Sequence, residues 1–338
     1  MPCSAKRWLC AAAFLLASEV WAQASNIVPI PDDPNVRILE QLADPPDGRI
    51  DYTKVQAAIE RMVDPSFNEV AFNAELDHWA SQVRAQAPKG ATPTQMMTAL
   101  GQVIYVPGPW NDERPFSYDL NDPMGTHDEA KLVSYYLRTR KGNCVSMPTL
   151  LILLGQKLGL VMTLSQAPQH EFARLQDASG RWFNIEATSP GSPPDSKYID
   201  EMRISQRAIQ SGIYLRTTTP RETVAAMLDP LLGIYAHNRP PGYLLGLAKL
   251  VQRVDPKNFE GYVFEANAYF LELGRRYLRH NLTPEVLPPA QRADFKALLD
   301  ANARIINQVK TMGWAPPTDV DDAAYLRRVQ RYKAEHGG

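Results

Sequence analysis

The stretch from Cys144 to Leu158 is apolar on nearly every side: Val145, Met147, Leu150, Leu151, Ile152, Leu153, Leu154 and Leu158 leave almost no polar face. A helix that is hydrophobic all round has to sit in the middle of a domain, wrapped by other elements. Pro148 is compatible with such a helix only in its first turn, because proline lacks the N–H and clashes with the turn before it. That places Cys144 at or next to the helix N-terminus, with Gly159 suited to close the far end. The rest of the chain must bury this element from all directions. With 338 residues, 44% of them hydrophobic, it can do so, and the length allows about two domains at ~150 residues each.

The flanking pattern supplies the partners. Residues 23–48 contain Pro29, Pro31, Pro34, Pro45 and Pro46 and read as an extended lead-in. From Asp51 a helical face carries Val55, Ala58, Ile59, Met62 and Val63, and a second carries Phe72, Leu76, Trp79 and Val83. Thr92-Pro93-Thr94-Gln95 is a capping box that opens a helix toward Tyr105. A long ordered loop is expected over 106–125, and Thr126–Glu129 reads as another box starting a helix that stops near Gly142. After the apolar helix come three strand-like runs, Leu160–Ser165, Glu171–Leu175 and Arg181–Ala187. Beyond about residue 218 the chain turns helical, starting with the box Thr219–Glu222 and continuing over 241–254, 257–279, 289–311 and 320–335. Asp229-Pro230 and Asp255-Pro256 read as helix punctuation.

Several function classes drop out. Lys and Arg (36) balance Asp and Glu (37), so there is no basic patch of the kind a nucleic-acid binder needs. His78, His127, His237, His280 and His336 show no metal-ligand spacing, and no glycine-rich phosphate loop is present, so no metal and no cofactor is expected. Lys6 and Arg7 precede an apolar run from Trp8 to Ala17, and Val20 and Ala22 fit a secretory cleavage site. The run is about half of the ~20 residues needed to span a bilayer, so a cleaved signal peptide is expected over an uncleaved anchor, and no integral membrane association. The protein is then secreted or periplasmic. Cleavage removes Cys3 and Cys10 and leaves Cys144 alone, unable to form an internal disulfide.

Three features place chemistry around that cysteine. Gly142-Asn143-Cys144 opens the buried helix, where the helix dipole and free N–H groups favour a thiolate and its Cys144 N–H can serve an oxyanion. His170 leads into a strand. Trp182-Phe183-Asn184-Ile185-Glu186-Ala187-Thr188 lies on the next one. If Ala173, Leu175, Phe183 and Ile185 share the core face, then His170, Phe172 and Arg174 share the other with Asn184 and Glu186, provided that the hairpin loop has an odd length. Cys144 as nucleophile, His170 as base and Glu186 or Asn184 as the group orienting it follow triad logic.

Gly-Asn-Cys-Val-Ser-Met-Pro-Thr-Leu, Pro-Gln-His-Glu-Phe and Trp-Phe-Asn-Ile-Glu-Ala-Thr together resemble the transglutaminase-like superfamily. That family's third motif has Asp where this chain has Glu186. With the aromatic segment Phe116–Asn121, the likeness is closest to the bacterial SirB-type branch. The resemblance implies an α+β fold with a papain-like core, a helical N-terminal part and an α-helical C-terminal region akin to degenerate tetratricopeptide-like repeats. The expected organisation is a signal peptide at 1–22, a lead-in at 23–48, the transglutaminase-like domain at 49–217 and the helical region at 218–338. It also implies a cofactor-free cysteine hydrolase or transferase acting on a peptide or protein amide, with the helical region available to a protein partner. A catalytically silent binding or assembly module is the alternative.

Overall fold

The computed structural model describes residues 27–123, 125–189, 191–317 and 326–327. The expected signal peptide lies outside the described residues, as does almost all of the helix expected over 320–335.

Pro34–Ala43 forms helix α1, so the extended lead-in ends earlier than its prolines suggest. Asp33 caps the helix, accepting from the Asn35 N–H at 2.9 Å, and Pro34 occupies the first turn. An acidic cap followed by proline is a helix start, not only a break. Helices α2 (Tyr52–Val63) and α3 (Glu69–Gln86) bury Val55, Ala58, Ile59, Phe72, Leu76, Trp79 and Val83 as their spacing predicts. The Thr92–Gln95 box is made in both directions and opens α4 (Pro93–Tyr105).

The box expected at Thr126–Glu129 does not form. Thr126 donates to Asp122 instead, and a short 3-10 turn at Asp128–Lys131 leads into α5 (Val133–Thr139). Helix α5 is capped from a distance. Glu60, fully buried on α2, accepts from the backbone N–H groups of Val133 (2.9 Å) and Ser134 (3.2 Å) and from the Ser134 hydroxyl (2.6 Å). A carboxylate at that end also meets the positive pole of the helix dipole.

The apolar run becomes α6 (Ser146–Lys157), buried from Ser146 to Gly155 against α2, α3, α5 and a sheet. Its Gly155 is a contact glycine, because a Cβ there would lie 2.3 Å from the Met162 sulfur. The sheet is an antiparallel meander of β3 (Met162–Ala167), β4 (His170–Gln176) and β5 (Trp182–Ile185). A separate parallel pair joins β1 (Ser117–Tyr118) to β2 (Lys141–Gly142). Ala173 faces Ile185 and Leu175 faces Phe183, so odd positions meet odd positions. The Asp177 N–H donates to the Arg181 carbonyl, which leaves Ala178–Gly180 as the loop of odd length that this register requires. The division into one core face and one site face is incorrect. Phe183 is 36% exposed, while Phe172 on the opposite face is fully buried, so β4 is covered on both sides.

Helices α7 (Asp195–Met202) and α8 (Gln206–Ser211) follow the sheet. Then come α9 (Pro220–Asn238), α10 (Pro241–Val254), α11 (Phe259–Arg276) and α12 (Pro289–Thr311), each packed on its neighbour in the chain. The Thr219–Glu222 box opens α9, which also lies against α2 and β3. Asp255-Pro256 ends α10, but Asp229-Pro230 does not break α9: Pro230 lies inside it. The lost N–H is tolerated because Thr223–Leu228, Leu231, Leu232, Ile234 and Tyr235 are all buried, and that packing outweighs a cost of about 3 kcal/mol. The result is a helix-rich α+β architecture. Among the described residues no helix is long and apolar enough to cross a membrane.

Because Glu60 replaces a local cap, Glu60→Ala removes several charge-assisted hydrogen bonds at once. Urea unfolding is expected to show a loss of about 2–4 kcal/mol. Ala substitution at the exposed Thr126 cap candidate is expected to cost less than about 1 kcal/mol.

Candidate active site

The nucleophile candidate is placed by the turn that precedes α6. Arg140 adopts a left-handed conformation (φ 57°), the Ser117 N–H donates to its carbonyl at 2.9 Å, and the Asp119 N–H donates to the Gly142 carbonyl at 2.7 Å. A Cβ on Gly142 would lie 2.6 Å from the Tyr136 ring and 2.8 Å from Met147, so only glycine allows this approach. Asn143 is buried and caps the helix: its Oδ1 accepts from the N–H groups of Val145 (2.9 Å) and Ser146 (3.1 Å), and its Nδ2 donates to the Ala130 carbonyl (3.0 Å). The Met147 N–H donates to the Asn143 carbonyl, so hydrogen bonding of helical type already encloses Cys144. Cys144 is a free, half-buried thiol in the turn that leads into α6.

His170 opens β4 just after a tight turn through Pro168 and Gln169, with Gln169 left-handed at φ 55°. Proline presets the first turn position, and the turn delivers the imidazole at the strand end. His170 Nε2 lies 2.7 Å from Glu186 Oε2, and the two side chains are only 9% and 8% exposed. Three further donors converge on that carboxylate. The Thr188 N–H (2.9 Å) and hydroxyl (2.7 Å) donate to Oε1, and the Tyr198 hydroxyl donates to Oε2 at 2.9 Å. Tyr198 also stacks on Phe172, with centroids 4.5 Å apart.

Electrostatics follow from that crowding. Burial opposes charge on His170, but the Glu186 carboxylate, with contributions from the nearby Cys144 side chain, overcomes it and pushes the imidazole up to about 10. Burial likewise opposes ionisation of Glu186. The charge of His170 and the donors from His170 and Thr188 overcome it and hold the carboxyl down at about 2. Burial and the neighbouring carboxylate raise Tyr198 far above the ordinary tyrosine range, so it stays a phenol donor. Nε2 is committed to Glu186, which leaves Nδ1 as the second ring nitrogen.

Of the four residues singled out from sequence, the structure brings Cys144, His170 and Glu186 together. Asn184 is turned elsewhere: its Nδ2 donates to the Pro193 carbonyl (2.9 Å) and to Asp195 Oδ1 (2.7 Å). Asp195 also accepts from Arg174 at 2.7 Å, so Asn184 and Arg174 jointly seat the start of α7. Three residues on from Asp195, α7 presents Tyr198 to Glu186. Sequence reasoning missed Tyr198, which carries no local signal, and also the capping role of Asn143, which an Asn one residue ahead of the helix's cysteine could have suggested.

Residues 70–229 match the family model of the transglutaminase-like superfamily. No curated protein and no solved structure matches the chain significantly.

The ion pair has a definite pH signature. His170 is raised from 6.5, so its contribution to stability is complete below that value and is lost as pH rises through about 10. Glu186 is lowered from 4.5, so its contribution is present above that value and is lost as pH falls through about 2. NMR of the ring nitrogens is expected to show His170 still protonated at about pH 8. In Glu186→Gln it is expected to titrate at or below the ordinary histidine range, because burial then acts with only the thiol opposing it.

Proposed function

We propose that this chain is an exported, cysteine-dependent acyl-transfer enzyme working on a peptide or protein amide through a thioester at Cys144. The observation that carries the reading is the buried 2.7 Å contact between His170 and Glu186 near a half-buried thiol in the turn that leads into α6. Two of the three side chains arrive on adjacent strands and the third on a helix N-terminus, as in a papain-like arrangement, and the transglutaminase-like match supports it.

The steps balance with the side chains on hand. With the proton already on the His170 ring, the Cys144 sulfur attacks the amide carbonyl carbon. Asn143 Oδ1 engages the N–H groups of Val145 and Ser146 and leaves the Cys144 N–H to receive the developing oxyanion. The imidazolium returns its proton to the leaving amine, the carbon–nitrogen bond breaks and a thioester remains. Water or a second amine then adds to the thioester, giving its proton to His170, and the sulfur departs. Water makes the protein a hydrolase and an amine makes it a transferase. Glu186 stays ionised throughout, holding the ring and balancing its charge.

The basic pair and apolar run before Ala22 support export. The likeness to the SirB-type branch, and the packing of α9–α12 each on its chain neighbour, support a repeat-like helical region able to hold a protein partner.

Iodoacetamide labelling of the folded chain between about pH 4 and pH 9 tests the reading. A thiolate–imidazolium pair should label rapidly below about pH 7, and folded His170→Ala should label at least about tenfold more slowly there. Identical profiles in the two proteins, both rising only near the ordinary thiol range, would assign the domain to the silent binding-module class.

A further inference from the structure

The face of β4 opposite His170 carries a second group of ionisable side chains that the proposed chemistry does not use. Glu171 is only 7% exposed, and among the described residues its Oε1 has no hydrogen-bond partner. The strand register pairs Glu171 with Gln166, so their side chains share one face. Gln166 Nε2 reaches across to Asp229 Oδ2 on α9 at 2.5 Å, and Asn258, the N-cap of α11, donates to both Asp229 oxygens at 3.0 and 3.1 Å. The strand, α9 and α11 thus meet at one partly buried carboxyl group, that of Asp229, near the buried Glu171 with its unpartnered Oε1.

The charges around this cluster do not neutralise it. Asp229 faces Glu260 and Asp255 from the neighbouring helix ends. Arg216 is already committed to Asp255 and Glu222. His170 is adjacent in sequence, but its ring is bound to Glu186 on the other face. No group of three or more His, Cys, Asp and Glu side chains among the described residues is arranged to hold a metal ion. Two neighbouring carboxylates withdrawn from water, with further carboxylates facing them and no cation committed to them, cannot both be ionised at modest cost. The cheapest neutralising species is a proton.

We propose that Glu171 and Asp229 form a proton-held latch, in which at least one of the two carboxyl groups stays protonated in the folded chain near neutral pH and its ionisation weakens the seat of α9 and α11 against the strand that begins with His170. The latch is independent of whether Cys144 is a nucleophile. Burial, then the charge of Asp229, raises Glu171 well above the usual carboxylate range against a small opposing effect of His170. Burial, then Glu260, raises Asp229, with the amides of Asn258 and Gln166 opposing. Burial also pushes Glu260 up to about 7.

The sign is fixed by which state holds the proton. The unfolded chain releases it in the ordinary carboxylate range and the folded chain keeps it to higher pH, so folding weakens as pH rises between those limits. One retained proton corresponds to a tenfold fall in the folding constant per pH unit.

Two measurements on the full chain decide the matter. Carboxyl carbon NMR should find at least one of Glu171 and Asp229 still protonated above about pH 7, and ionisation of both in the ordinary range overturns the proposal. Denaturant unfolding from about pH 6 to pH 9 should then show wild-type stability falling more steeply than that of Glu171→Gln, by close to one proton. Parallel curves overturn the latch. Should Glu171→Gln fail to fold, Glu171→Met provides the same comparison, because it also lacks the ionisable group.

Discussion

Taking a carboxylate out of water costs several kcal/mol unless other donors replace its hydration, and Glu186 meets that requirement with the imidazole of His170, the Thr188 N–H and hydroxyl, and the Tyr198 phenol. The arrangement around it is set by this demand. Thr188 follows within two residues, so half of the shell is local. Tyr198 comes from α7, whose start is fixed to the sheet by Asp195, Arg174 and Asn184. Asn184 therefore acts on the site at one remove, by locating the helix that supplies a donor. The charge so stabilised then fixes the orientation and protonation of the base.

The helix behind the thiol imposes the other constraint. Because α6 has no polar face, it has to be covered by α2, α3, α5 and the sheet, and this coverage fixes where its N-terminus emerges. Asn143 supplies the cap in a place where Val145 cannot. Gly142 permits the contact with Tyr136 that brings the turn close to α5. The most hydrophobic element of the chain thus positions one of its few reactive groups.

Much of this was legible from residues alone. The boxes at Thr92 and Thr219, the buried helix and the odd register of the last hairpin follow from local rules that tertiary contacts did not override. The failures share a cause. Thr126–Glu129 has the letters of a cap, but Glu60, far away in the chain, supplies the acceptor and Asp122 takes the threonine. Pro230 reads as a break, but the apolar side chains around it keep the helix intact. Glu186 and Asn184 could not be ranked from alternation, which puts both on one face, and only the seating of Asp195 separates them. What sequence could not supply in each case was a partner distant along the chain.

The three groups of the site also differ in how far along the chain their supports lie. His170 and Glu186 are separated by 16 residues and Tyr198 by 12 from its carboxylate, within one short meander and the helix after it. The frame of the thiol depends on Glu60 reaching across 73 residues to the helix that leads into Gly142. The entropy of closing a loop grows with its length, so the base and its carboxylate sit in a nearly self-sufficient segment while the nucleophile's position is underwritten by the N-terminal helices. Shortening the chain from its N-terminal side past α2 would leave the acid–base pair with its own contacts intact and take away the framework that brings sulfur to it.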